Sequence, residues 1–272
     1  MPSPTAISSD KLARLVGTPA APAIVDVRTD EDFALDPRLV PASRRRGHGD
    51  VARWSAEYTG QNVVAVCQAG RKLSEGVAAW LRHAGIRAEI LEGGFAGWAA
   101  AGHPAVPAAA LPPADPLGRT VWVTRARPKI DRIACPWLIR RFVDPRAVFL
   151  FVAAPEVEAV ADRFAATPFD CEGVFWSHRG ERCTFDVMVE EFGLSGDALD
   201  RLAAIVRAAD TSRLDLAPEA AGLLAASLGL SRIHSDDLQQ LDAGMVLYDA
   251  FYRWARDAAA ETHAWPAARQ KP

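Results

Sequence analysis

The stretch Val63-Val64-Ala65-Val66-Cys67-Gln68-Ala69-Gly70-Arg71-Lys72-Leu73-Ser74-Glu75-Gly76-Val77 constrains this chain more than any other. Consecutive apolar residues from Val63 to Val66, mostly β-branched, suit a buried strand. Leu73, Val77 and Leu81 then recur on one face of an amphipathic helix. A cysteine between strand and helix meets the unpaired N–H groups of the helix start. Their partial positive charge, with Arg71 and Lys72 alongside, favours thiolate over thiol. Successive loop N–H groups also make a concave anion site. The stretch therefore predicts a nucleophilic cysteine acting on an anion, with Cys67, Arg71 and Lys72 in catalysis and Gln68, Ala69 and Gly70 cradling the substrate. A lone cysteine at a strand end is more commonly a small buried hydrophobe; the glycine and the cations tip the balance. Cysteine phosphatases need an arginine after five intervening residues to fork onto the phosphoryl group. Leu73 stands at that position, which argues against that chemistry.

The flanking segments alternate in type. Ser9 opens a short helix, Ala23 to Val27 is a strand, Val51 to Tyr58 is helical, and Ala88 to Leu91 is a strand. Such alternation implies α/β architecture, a parallel sheet flanked by helices on both faces. Ligands bind beyond the carboxyl ends of such strands, where Cys67 falls. Asp26 and Arg28, at the end of an earlier strand, are placed to brace the cysteine loop or to bind substrate, a structural ion pair being the alternative.

Three motifs carry a resemblance. Cys67-Gln68-Ala69-Gly70-Arg71-Lys72 resembles the active-site loop of the rhodanese (sulfurtransferase) family, Ala23-Ile24-Val25-Asp26-Val27-Arg28 its strand ending in Asp-Val-Arg, and Leu91-Glu92-Gly93-Gly94-Phe95-Ala96-Gly97-Trp98 its late Gly-Gly-x-x-x-Trp signature. One departure is that Lys72-Leu73 replace the Arg-Ser often found there, with Ser74 following. The resemblance implies a rhodanese-like sheet and a Cys67 persulfide. Sulfur would pass from thiosulfate or a similar anion to a thiol or cyanide acceptor, with no cofactor.

A chain of 272 residues predicts about two domains at roughly 100–200 residues each. The boundary falls at Pro104, Pro107, Pro112, Pro113 and Pro116, which remove backbone donors and disfavour both helix and strand. The expected division is a first domain over 1–103, a stiff linker over 104–119, a second domain over 120–260 and a tail over 261–272. A net charge of −3 argues against a general nucleic-acid binder. The cysteines Cys67, Cys135, Cys171 and Cys183 are too sparse for a disulfide framework. The N-terminus lacks a signal-peptide pattern, and no apolar run nears the ~18 residues of a membrane span. A cytoplasmic protein without membrane partners is expected.

The second domain has a mainly helical pattern with a small sheet, α+β, whose strands include Val121-Trp122-Val123 and Val148 to Val152. Pro136 is expected to break or kink a helix, and the stripe Leu241, Met245, Tyr248 and Tyr252 suits a core or a homodimer seam. Asp131, Arg132, Asp170, His178, Cys183, Asp186, Glu190, Asp210 and His234 are among the polar residues that could converge. On a helix starting near Cys183, that residue shares a face with Asp186 and Glu190, opposite Phe185, Val189 and Phe192. With His178 just before it, this face offers mixed N/O metal ligands, although such a face is normally just solvated.

The segments 122–125, 129–144, 177–186 and 209–216 resemble the C-terminal domain of the chromate-resistance protein B family. That resemblance implies a link to chromate resistance, with metal or oxyanion sensing. Its motifs map onto Asp131, Arg132, His178, Cys183, Asp186 and Asp210, and Asp131, His178, Cys183, Asp186 and Asp210 are the candidate ligands of a divalent metal ion. Other members carry a DNA-binding N-terminal region, replaced here by the sulfurtransferase-like domain, so a nucleic-acid partner is not expected. Chromate is a tetrahedral dianion like sulfate and could enter a positive pocket. The alternative to an enzyme is a redox or chromate sensor that uses Cys67 as a modifiable thiol.

Overall fold

The structure, a computed structural model, describes residues 5–261. The expected tail, from residue 262 onward, lies outside the described residues, as does the start of the N-terminal segment over 1–4.

In chain order the first unit contains β1 (Ala6–Ile7), α1 (Ser9–Leu15), β2 (Ala23–Asp26), α2 (Asp30–Leu35), β3 (Arg38–Leu39), β4 (Ser43–Arg45), α3 (Val51–Trp54), β5 (Asn62–Val66), α4 (Lys72–His83), β6 (Arg87–Leu91) and α5 (Gly94–Ala100). Five of its strands form one parallel sheet in the order β1-β6-β5-β2-β4. The period-two geometry of a strand divides β5 between two cores. Val63, Ala65 and Cys67 pack with Val77 and Leu81 of α4 and Trp54 of α3. Val64 and Val66 face the opposite way, towards Leu12 of α1 and Phe95 and Trp98 of α5. The first helix is capped one residue earlier than expected, by Ser8, whose Oγ accepts from Lys11 N at 3.3 Å.

The proline-rich segment is not a bare spacer. Val106–Pro107 form β7, antiparallel to β3, with Leu39 opposite Val106. A two-residue edge pairing tolerates a proline, which is why the expected exclusion of strand fails here.

The second unit contains β8 (Val121–Arg125), α6 (Asp131–Leu138), β9 (Val148–Val152), α7 (Val157–Phe164), β10 (Thr167–Pro168), α8 (Thr184–Glu191), α9 (Asp197–Asp210), α10 (Ala220–Ile233) and α11 (Asp237–Asp257). Its three strands are parallel, in the order β10-β8-β9. Pro136 sits inside α6, which then widens into a π turn over Ile139–Val143. A proline supplies no N–H to the preceding turn, which favours such a local break. The widened turn docks the two units: Phe142 O accepts from Ala42 N at 2.6 Å, and the Phe142 ring covers Gly17, where a Cβ would lie 2.2 Å from Cζ. Leu12, Val16 and Trp98 consequently share one apolar cluster with Trp137 and Phe142.

Leu241, Met245, Tyr248 and Tyr252 are buried in that cluster. The Tyr248 hydroxyl donates to Ile130 O at 3.0 Å, and the Tyr252 ring lies 5.5 Å from that of Trp137. The stripe is therefore core rather than a free dimer seam. Among the described residues, no helix is long and apolar enough to cross a membrane.

Candidate functional site

Cys67 leaves the carboxyl end of β5 and is buried. Its sulfur receives the Arg71 N–H at 3.3 Å and lies 3.1 Å from Ser74 Oγ. Arg71 O is within reach of both, 3.2 Å from the sulfur and 3.0 Å from Ser74 Oγ, so the single Ser74 proton serves either Arg71 O or the ionised sulfur. Burial pushes the thiol pKa up, but the Ser74 hydroxyl and then the backbone N–H groups of Ser74, Arg71 and Ala69 outweigh it. The net result is a thiol below the ordinary cysteine value. This corrects the expectation that the Arg71 and Lys72 charges stabilise the thiolate: both residues are exposed, and Arg71 contributes its amide. Gln68 is half-buried, Ala69 exposed and Gly70 buried.

The loop rests on a glycine floor. Phe95 N donates to Cys67 O at 2.9 Å and Ala96 N to Gln68 O at 3.0 Å. Gly70 and Gly94 adopt φ of 66° and 60°, and a Cβ on Gly94 would lie 2.2 Å from Cys67 O. Glycine is needed there both for the left-handed backbone and for the close approach.

Asp26 and Arg28 form a closed pair rather than a substrate contact. Arg28 Nη2 is 2.6 Å from Asp26 Oδ2, and Arg28 also donates to Asp36 O at 3.0 Å and Arg38 O at 2.6 Å. Both side chains are buried, and the guanidinium stacks 3.9 Å from the Phe95 ring centroid. Their hydrogen bonds are spent inside the protein, so their role is to brace α5 under the cysteine loop. Arg28→Ala is expected to leave the buried Asp26 side chain without its guanidinium partner. The loss is about 3–5 kcal/mol of stability, measurable as a lower urea midpoint.

A second cluster forms at the carboxyl ends of β8 and β10. Asp131 opens α6, Asp170 follows β10, His178 lies in the loop before α8, and Asp210 ends α9. His178 Nε2 is 3.5 Å from Asp131 Oδ2, 3.4 Å from Asp170 Oδ1 and 3.3 Å from Asp210 Oδ2. Thr184, the first residue of α8, donates its N–H to Asp131 Oδ2 at 2.6 Å and its hydroxyl to Asp170 Oδ1 at 2.9 Å. Arg125 and Arg132 reach the other Asp170 oxygen at 3.2 and 3.3 Å. Ile130, a β-branched residue at φ 42°, sets the turn that aims Asp131 inward.

Charge is finely divided in this cluster. Burial, then the nearby carboxylates of Asp210 and Asp170, push Asp131 well above the usual carboxylate range. Burial and Asp170 likewise raise Asp210. Burial also opposes ionisation of Asp170, but hydrogen bonds from His178 and Thr184 and the charges of Arg132 and Arg125 bring it below its ordinary value. The hydrogen bond to Asp170, opposed by burial and helped by Asp131 and Asp210, raises His178 to about 9.

Of the expected metal ligands, Asp131, His178 and Asp210 come together, while Cys183 and Asp186 do not join them. Cys183 is the buried N-cap of α8, and its own N–H donates to Asp186 Oδ2 at 3.0 Å. Asp186 also pairs with Arg207 at 2.7 Å. Burial and the neighbouring Asp131 carboxylate keep the Cys183 thiol well above its ordinary value, which disfavours the thiolate a metal needs. His234 serves through its backbone, accepting from Arg127 Nη1 at 3.0 Å.

Comparison with known proteins matches residues 8–101 to the rhodanese-like domain and residues 122–255 to the ChrB C-terminal domain. The chain joins a rhodanese-like domain to a ChrB C-terminal domain. Protein ChrB of Cupriavidus metallidurans is 38% identical over 156 residues, which cover 56% of this chain and 46% of that relative. The chain thus spans about half the length of the curated relative it matches. Among solved structures, a rhodanese-like domain protein from Staphylococcus aureus is 27% identical with a TM-score of 0.32, covering 35% of this chain and 90% of that one. A rhodanese-related protein from Thermoplasma volcanium is 20% identical with a TM-score of 0.33, covering 37% and 96%.

In the rhodanese-like domain the contact that sequence reasoning missed is Ser74. Its signal was present, a hydroxyl displaced one helical step from where the family often places it. In the ChrB C-terminal domain the underweighted residues are Asp170 and Thr184. Asp170 follows a strand of only two residues, too short for any periodicity to register.

Proposed function

We propose that the rhodanese-like domain transfers sulfane sulfur through Cys67. The observation that carries this reading is the Cys67 sulfur held between the Arg71 N–H and the Ser74 hydroxyl, an arrangement that favours the thiolate more than an ordinary cysteine environment does. The thiolate attacks the outer sulfur of thiosulfate. A Cys67 S–S bond forms, the S–S bond of thiosulfate breaks, and sulfite leaves with its electron pair. Cyanide or an acceptor thiolate then takes the outer sulfur and restores the Cys67 thiolate. The loop amides that hold the thiolate equally hold the persulfide anion. The exposed Arg71 and Lys72 are assigned the long-range task of drawing a dianionic donor to the loop.

The ChrB C-terminal domain ties this activity, in our proposal, to chromate resistance in the cytoplasm. The fused domain supports this, as does the likeness of chromate to sulfate in shape and charge. The deciding experiment is the intact mass of the full chain after thiosulfate and again after cyanide. A gain of one sulfur that cyanide discharges supports the reading. A mass that does not change favours a thiol that senses rather than turns over.

Ser74→Ala tests the electrostatics separately. Removing a hydrogen bond to a charged group, worth about 1.5–3 kcal/mol, raises the thiol towards its ordinary value. The pH dependence of Cys67 alkylation should move to higher pH, and alkylation at pH 7 should slow by about tenfold.

A further inference from the structure

The spacing around His178 matches that of ligands gathered about one cation better than that of a single optimised hydrogen bond. One imidazole nitrogen carries at most one proton and so serves one acceptor well, at about 2.9 Å. Here three carboxylates surround the same Nε2 at 3.3, 3.4 and 3.5 Å, so its bond to Asp170 is long and two further carboxylate oxygens crowd the same nitrogen. Donor atoms bound to one ion at about 2.0–2.2 Å stand roughly 3–3.5 Å apart. Asp131, Asp170 and His178 present ligand atoms all within 4.8 Å of one another.

An independent observation points the same way. Asp131 is fully buried, and its Oδ1 has no hydrogen-bond partner among the described residues. A buried carboxylate oxygen left unpaired is costly unless something absent from the chain satisfies it. The second coordination layer is already built. Thr184 fixes Asp131 and Asp170, and Arg125 and Arg132 hold the outward oxygen of Asp170. Such outer contacts orient ligands at real metal centres. The arginines pair directly with Asp170, and Arg132 reaches Asp210 only through its charge, so the positive group beside the buried Asp131 is His178.

We infer that Asp131, Asp170 and His178, with Asp210 beside the same His178 nitrogen, bind one divalent first-row transition ion of the Mn2+ or Fe2+ type. Three carboxylates and a single imidazole, with no thiolate, make a hard, oxygen-rich set that suits such ions over the thiolate-loving ones. The half-exposed His178 edge leaves coordination positions open to water. This assignment does not rest on the chemistry of Cys67, and its failure would leave the sulfur-transfer reading untouched.

The test is titration of chelator-treated full-length protein with Mn2+, followed through the electron paramagnetic resonance signal of the free ion. Mn2+ is chosen because the chain's free thiols compete poorly for it. One ion per chain is expected to disappear from the free signal. His178→Ala and Asp131→Asn should each weaken binding by about tenfold or more, and Cys183→Ser should leave it unchanged. His178 is 41% exposed, so its replacement does not put the fold at stake. No bound Mn2+, or binding indifferent to His178→Ala, overturns the site. Weakening by Cys183→Ser overturns the proposed ligand set.

Discussion

Cys67→Ser is expected to abolish thiosulfate-to-cyanide sulfur transfer, by about 1,000-fold or more, while the fold survives. The magnitude follows from the role assigned to the side chain: a covalent intermediate replaces one difficult displacement by two easier ones, and serine cannot form it. The serine oxygen is close to sulfur in shape and can keep both the Arg71 N–H and Ser74 contacts, so the loop has no reason to collapse. Steady-state thiocyanate formation reads the loss, and the mass shift after thiosulfate should vanish with it. Residual transfer within tenfold of the parent protein would place the sulfur carrier on another cysteine. Cys171 would be first in line, because Cys135 and Cys183 are buried with thiols pushed well above their ordinary range.

The same comparison shows which parts of the molecule a sequence discloses. The strand, cysteine loop and helix around Cys67 were legible because local pattern and tertiary role coincide there: β-branched residues build the buried strand, and the glycine frees the loop. The partners of Asp26 and Arg28 were not legible. A buried pair and an active-site pair look identical as letters, and only the carbonyls of Asp36 and Arg38, brought in by the turn after α2, decide between them. The cluster around His178 shows the opposite failure. Helical spacing drew Cys183 and Asp186 onto one face with no knowledge of what that face meets. In the folded chain Asp186 turns back to cap its own helix and to pair with Arg207. Asp170 takes their place from a different element, across a sheet register that no local pattern encodes. The docking of the two units was hidden for a related reason: it rests on the π turn after Pro136, which carries Phe142 onto Gly17.

Gly94→Ala should be among the most damaging single-methyl changes in the rhodanese-like domain. The added Cβ would meet Cys67 O at 2.2 Å, Gly70 N at 2.4 Å and Gln68 O at 2.7 Å, all of them backbone atoms that no rotamer change can move aside. The position also has a φ of 60°, which an alanine adopts only at a cost of about 1–2 kcal/mol. Overpacking adds about 1–3 kcal/mol, so a loss of about 2–5 kcal/mol of stability is expected. Sulfur transfer should fall with it, because the displaced atoms carry the loop that holds Cys67. Gly76→Ala is the matched comparison. That glycine lies inside α4 with open space around its Cβ position, and replacing it is expected to stabilise the helix by up to about 1 kcal/mol. Thermal unfolding of both variants, with alkylation rates of Cys67 in whatever remains folded, separates close approach from general intolerance of glycine replacement. Equal stability in the two variants would mean that the Gly93-Gly94 turn does not press on the cysteine loop as the structure has it.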